Sequence, residues 1–123
     1  MSTPTAAGAP AAAPPEIRPT DFLATDRLLS DEERDIRDAV RAFVRDQVVP
    51  HVGQWFEEAR IPRELATELG KLGVLGMHLQ SYGCAGASTT AYGLACMELE
   101  AGDSGVRSLV SVQGSLAMFA IYR

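Results

Sequence analysis

No uninterrupted apolar stretch of about 18 residues occurs in this chain, so no segment of it reads as a membrane-spanning helix. A surplus of positive charge is missing too: 11 Lys and Arg stand against 16 Asp and Glu, for a net charge of −5. Without excess cations to displace counterions from a phosphate backbone, nucleic acid is set aside as a partner. Cysteine is scarce, with Cys84 and Cys96 the only two. No basic segment leads into a long apolar core near the start, so the expectation is a cytoplasmic protein with two free thiols. The only histidines, His51 and His78, lie far apart in sequence, and a zinc site lacks its ligands. No alternating apolar and polar run of useful length is present to build a strand.

What remains is the composition of a soluble helical domain. Of 123 residues, 46% are hydrophobic and 22% charged, which fits one globular unit. Residues 1–20 stand apart: they are Ala/Pro-rich, hold five of the seven prolines and have almost no apolar bulk. Such a segment cannot bury enough surface to offset its ordering entropy, and a disordered tail is expected there. The folded domain is expected over residues 21–123.

Within it, four helices are legible. Ser30 with Glu33 three residues on is a capping box, and Asp31, Glu32 and Glu33 put negative charge at the positive end of a helix dipole. Ile36, Val40, Phe43, Val44 and Val48 then form one apolar stripe, with Pro50 as a stop. A second, shorter helix starts near Pro62, has Leu65, Leu69 and Leu72 inside and reaches Gly73, a plausible C′ residue. Trp55 and Phe56, between the two, read as core or docking aromatics. A glycine-rich loop, HLQSYGCAGAS, follows, and Ser88 is suited to cap a third helix with Ala91, Leu94, Ala95, Met97 and Leu99 as its apolar surface. Gly102 interrupts it, and Asp103 or Ser104 caps a fourth that runs from about Gly105 to residue 123. The fold class expected is all-α, with short connections and roughly antiparallel neighbours.

The last helix carries the one pattern with chemical content. Ser104, Ser108, Ser111 and Ser115 recur at spacings of four, three and four, with Arg107 beside them. Two readings fit. Small residues let a neighbouring helix approach closely, and an arginine near a helix start pairs with a carboxylate such as Glu100 or Asp103. Alternatively, a planar five-donor fork and adjacent hydroxyls form a pocket for a carboxylate. Periodicity alone does not separate them.

The motifs ELGKLGVLG, YGCAGAS, AYGL, ELEAGDSGVRS and SVQGSLAM, followed by IY, stand here in one order. In these, residues 21–123 resemble the N-terminal helical domain of the acyl-CoA dehydrogenases, and within that family the glutaryl-CoA dehydrogenases. The resemblance implies an FAD-dependent enzyme that oxidises an acyl-CoA thioester. For the glutaryl branch it implies decarboxylation to crotonyl-CoA, electron transfer to an electron-transfer flavoprotein and a homotetrameric assembly. It places the substrate's far carboxylate on Arg107, with Ser108 as a hydroxyl donor and Glu100 as an electrostatic partner. The family's β-domain and C-terminal helical domain, with its catalytic glutamate, have no counterpart in these residues. Neither Glu98 nor Glu100 is therefore expected to be a catalytic base, and the 123 residues alone are expected to be inactive. Other readings are a dehydrogenase for an uncharged acyl chain and a helical module that binds a partner without catalysis.

Overall fold

The computed structural model describes Pro19 and residues 21–123, so the expected tail at 1–20 lies almost wholly outside the described residues. Every regular element among those residues is helical. A short 3-10 turn, Thr25–Leu28, precedes α1, Asp31–Phe43, which continues without a break as a π-helical segment, Val44–Val48. Then come α2, Val52–Glu57; α3, Arg63–Lys71; α4, Thr89–Gly102; and α5, Ser104–Ser111. A second π-helical stretch, Val112–Met118, prolongs α5 and ends in α6, Phe119–Tyr122.

The caps read from sequence are the caps found. The Ser30 hydroxyl accepts from the Glu33 amide at 3.2 Å, and the Glu33 carboxylate accepts from the Ser30 amide at 2.9 Å. The Ser88 hydroxyl accepts from the Ala91 amide, and the Asp103 carboxylate from the Val106 amide. Gly73, at φ +82, follows α3 in the left-handed region, while the Val74 amide closes back on the Leu69 carbonyl. Hydrogen bonds from the Ser30 amide and the Ser88 hydroxyl hold the Glu33 carboxyl below the usual carboxylate range. Ser30→Ala removes one half of this reciprocal cap and is expected to lower stability by about 1 kcal/mol, read from the urea midpoint.

Two differences from the expected helices have local causes. The residues between the first two predicted helices form α2, a helix of six residues too short for periodicity to reveal. Its aromatics also part: Trp55 packs against the core, whereas Phe56 is 83% exposed. The core is made by Val40, Val44 and Val48 against Ala91, Ala95 and Leu99, with Val106 and Val110 closing it. Leu69 and Leu99 are fully buried, and burying a leucine side chain contributes roughly 1.5–3 kcal/mol.

Polar contacts report how the helices run. Glu33 near the start of α1 meets Ser88 at the start of α4, at 2.8 Å, and Arg41 further along α1 meets Glu98 further along α4. The two helices are therefore parallel neighbours and not the antiparallel ones expected, because α2, α3 and the loop after them carry the chain back before α4 begins. The small residues Ala91 and Ala95 lie in the seam. A Cβ on Gly102 would collide with Val44, so this glycine lets the end of α4 close on the π-helical end of α1. After Asp103 the chain reverses, and α5 returns antiparallel along α4. The arginine–carboxylate pairing expected in this region is present, between Arg107 and Glu100.

Candidate functional site

The reversal at Asp103 sets two faces against each other. Tyr92, Cys96 and Glu100 recur every four residues on α4, and Arg107, Ser111 and Ser115 recur every four residues on the returning helix. At the end nearest the turn, Arg107 Nε donates to Glu100 Oε2 at 2.7 Å, and Nη1 donates to Ser111 Oγ at 3.2 Å. Ser104 Oγ donates to the other Glu100 oxygen, Oε1, at 2.6 Å. At the far end the hydroxyls of Tyr92 and Ser115 share a hydrogen bond of 2.8 Å. The Tyr92 ring in turn lies 4.8 Å from the His78 ring, centroid to centroid.

The electrostatics of the Arg107 cluster follow from these bonds. The Ser104 hydroxyl and then the Arg107 guanidinium hold the Glu100 carboxyl below its ordinary range, so it is ionised at neutral pH. Glu100 in turn holds the Arg107 guanidinium above its ordinary value. Arginine has five N–H donors in a planar fork, of which two are engaged here. Among the described residues Nη2 meets no acceptor, and its side of the fork is where a carboxylate can bind through two parallel N–H bonds. The arginine side chain is 36% exposed and borders a shallow concavity of about 520 Å3 with Cys96, Met97, Glu100 and Ala101.

Of the residues expected to bind substrate, the structure brings Arg107 and Glu100 into direct contact. Ser108 is half-buried one position away. Its carbonyl accepts from the Ser111 hydroxyl at 3.2 Å, while its own hydroxyl meets no partner among the described residues. In sequence Ser111 is only one of a stripe, yet it is the serine that touches the guanidinium, and its spacing of four from Arg107 is the signal that points to it. Tyr92 carries no such signal, because a tyrosine on an apolar helix reads as packing. Glu98, the other carboxylate nearby, is occupied by both Nε and Nη2 of Arg41 at 2.9 and 2.7 Å.

A flavin dinucleotide needs paired donors for its diphosphate, and two further concavities among the described residues do not offer them. One is lined by Leu79, Tyr82, Cys84, Met118, Ile121 and Tyr122, without a charged side chain. Another includes Arg60, whose guanidinium already meets Glu58 at 2.7 Å, as Arg107 meets Glu100. These residues do not form a diphosphate cradle.

Residues 30–123 match the family model described as acyl-CoA dehydrogenase, N-terminal domain. The chain belongs to the acyl-CoA dehydrogenase family, whose N-terminal helical domain it supplies. A crystal structure of a glutaryl-CoA dehydrogenase from Mycobacterium smegmatis in complex with FADH2 is 66% identical and superposes with a TM-score of 0.81. That match covers 83% of this chain and 26% of the other. The mitochondrial short/branched chain specific acyl-CoA dehydrogenase of Bos taurus is 30% identical over 95 residues, 76% of this chain and 22% of its own length. The mitochondrial long-chain specific acyl-CoA dehydrogenase of Sus scrofa is 36% identical over 53 residues, 43% of this chain and 12% of its own. The chain thus spans only a minor part of the relatives it matches. No helix among the described residues is long and apolar enough to cross a membrane.

Proposed function

We propose that this domain forms the acyl-pocket wall of an FAD-dependent dehydrogenase that oxidises glutaryl-CoA and releases carbon dioxide to give crotonyl-CoA. The observation that supports it is Arg107: a guanidinium aimed by Glu100 and Ser111, with one side of its fork open, in a concavity between two helices. Burying a bare carboxylate costs several kcal/mol unless it is paired and hydrogen-bonded. A substrate with a carboxylate at its far end suits this arrangement, and a hydrocarbon tail does not. Ser108, whose hydroxyl is unengaged among the described residues, is the second donor in this reading.

The chain's own residues bind and orient. Arg107 fixes the far end of the acyl chain, and the ionised Glu100 keeps the guanidinium from swinging towards solvent. Flavin chemistry supplies the hydride acceptor, held by segments other than this one, and the proton acceptor at the α-carbon is a carboxylate outside these residues. The apolar side chains left exposed along the last helix, including Val112, Leu116 and Ile121, are the surface on which those other domains pack. An electron-transfer flavoprotein as acceptor, a homotetrameric assembly and a cytoplasmic location complete the proposal, the last supported by the free thiols of Cys84 and Cys96.

The test is to express the full reading frame and characterise the product. A yellow protein that reduces an acceptor dye with glutaryl-CoA and yields crotonyl-CoA is the expected result. The 123 residues by themselves are expected to stay colourless with FAD. Stoichiometric flavin on the 123-residue chain, or a full product indifferent to glutaryl-CoA, contradicts the proposal.

A further inference from the structure

Glu100 meets both Arg107 and Ser104 at the end of α4 nearest the turn. Two helical turns away, about 12 Å along the axis, the only other side-chain hydrogen bond between α4 and the returning helix among the described residues is Tyr92 to Ser115. Ser115 lies inside the π-helical stretch, which begins at Val112, immediately after the serine that receives Arg107 Nη1. Ser111 is therefore a junction: its peptide ends the α-helical turns and starts the wider π-helical ones. Such stretches persist only where surrounding contacts favour them over the ordinary helix.

Here two contacts do so. Gly114 sits so close to the backbone of Gly76 that an added Cβ would lie 3.1 Å from the Gly76 amide nitrogen. Next to it the Tyr92 hydroxyl meets Ser115, and the Tyr92 ring is wedged against His78, which also borders Gly114. Burial of the Tyr92 phenol pushes its pKa up, although the Ser115 bond opposes this, so the hydroxyl keeps its proton.

We propose that Tyr92 is a positioning residue for the carboxylate end of the site: by bonding Ser115 it holds the returning helix in its π-helical register against α4, and so sets Arg107 against Glu100. Loss of that bond lets the stretch relax towards the ordinary helix, which shifts the returning helix along α4 and moves Arg107 away from Glu100. The inference rests on the reading of Arg107 as the carboxylate clamp, and it extends that reading to a residue that touches no substrate.

The test uses the protein from the full reading frame, with glutaryl-CoA and the uncharged butyryl-CoA compared. Tyr92→Phe, which keeps the ring and removes only the hydroxyl, is expected to raise the glutaryl-CoA KM about five- to tenfold with kcat within about twofold. Butyryl-CoA kinetics and flavin content should not move. Ser115→Ala should reproduce the effect, Ser115→Thr should restore wild-type values, and the double variant should be no worse than either single one, because both remove one interaction. A Tyr92→Phe protein with wild-type KM, an equal rise for both thioesters, or additive single effects overturns the proposal. Wild-type protein with no preference for glutaryl-CoA overturns the underlying clamp reading instead, and the positioning role with it. That result is visible before any variant is made.

Discussion

Arg107→Met is expected to lower kcat/KM for glutaryl-CoA on the order of a hundredfold or more, the range seen when one partner of a desolvated, hydrogen-bonded charge pair is truncated. Methionine keeps length and apolar contact along the stem but removes every donor. The substrate carboxylate would then enter an apolar site with nothing to replace its water, and Glu100 would keep only the Ser104 hydroxyl. Butyryl-CoA is the control, since its chain makes no demand on the fork. Its kcat/KM should hold or rise, so the ratio between the two thioesters reports the clamp and not general damage. Arg107→Lys sharpens the interpretation. Lysine restores the charge but not the planar fork, and it cannot engage Glu100, Ser111 and a substrate in the same geometry. An intermediate loss shows that donor geometry matters beyond charge. Unchanged glutaryl-CoA kinetics in Arg107→Met would remove the clamp role altogether.

The same experiment separates the reading of an uncharged substrate. Without substrate, Arg107 and Glu100 neutralise one another, so the site attracts a carboxylate through oriented N–H bonds more than through net charge. A hydrocarbon chain pressed against this cluster would desolvate two ionised groups without adding a bond. For an enzyme of plain acyl chains Arg107→Met would cost nothing with glutaryl-CoA, so the fall in glutaryl-CoA kcat/KM, not the change with butyryl-CoA, distinguishes the two.

Helix caps and stripes are legible in the sequence because they are local. Ser30 with Glu33, Ser88 and Asp103 announce helix starts by bonds that reach only three residues along the chain. Val40, Val44 and Val48 announce a buried face by spacing alone. The site is half legible: Arg107 and Glu100 lie seven residues apart across one turn and meet as their charges lead one to expect, while the role proposed for them comes from the motif resemblance. What stays hidden is what depends on register between segments. Nothing in the spacing of Tyr92 and Ser115 says that they meet, because their approach depends on a π-helical stretch that widens the returning helix. The close contact of Gly114 with Gly76 is hidden for the same reason. In sequence each glycine reads as a weak point in a helix or loop, and only the packed structure shows that a side chain has no room there.

That contact yields an expected result of opposite sign to a second glycine on the neighbouring helix. Gly114→Val should destabilise the domain by about 2–3 kcal/mol, at the upper part of the overpacking range. Its Cβ would stand 3.1 Å from the Gly76 nitrogen and 3.3 Å from the Gly76 Cα, and backbone cannot yield as a side-chain tip can. Gly76 is itself confined: it sits at φ +68, and a Cβ in its place would lie 2.5 Å from Met118 Cε, so it has little room to retreat. Gly93 faces the other way. It lies exposed in the middle of α4, without left-handed backbone, and a Cβ added there would meet nothing within 4 Å. Gly93→Ala should therefore stabilise the domain by about 0.5–1 kcal/mol, through a smaller loss of backbone entropy on folding. Urea unfolding of both variants in one background decides the matter. Two glycines that behaved alike would mean that helix propensity governs the α4–α5 pair, and that the Gly76–Gly114 contact does not hold the returning helix in place.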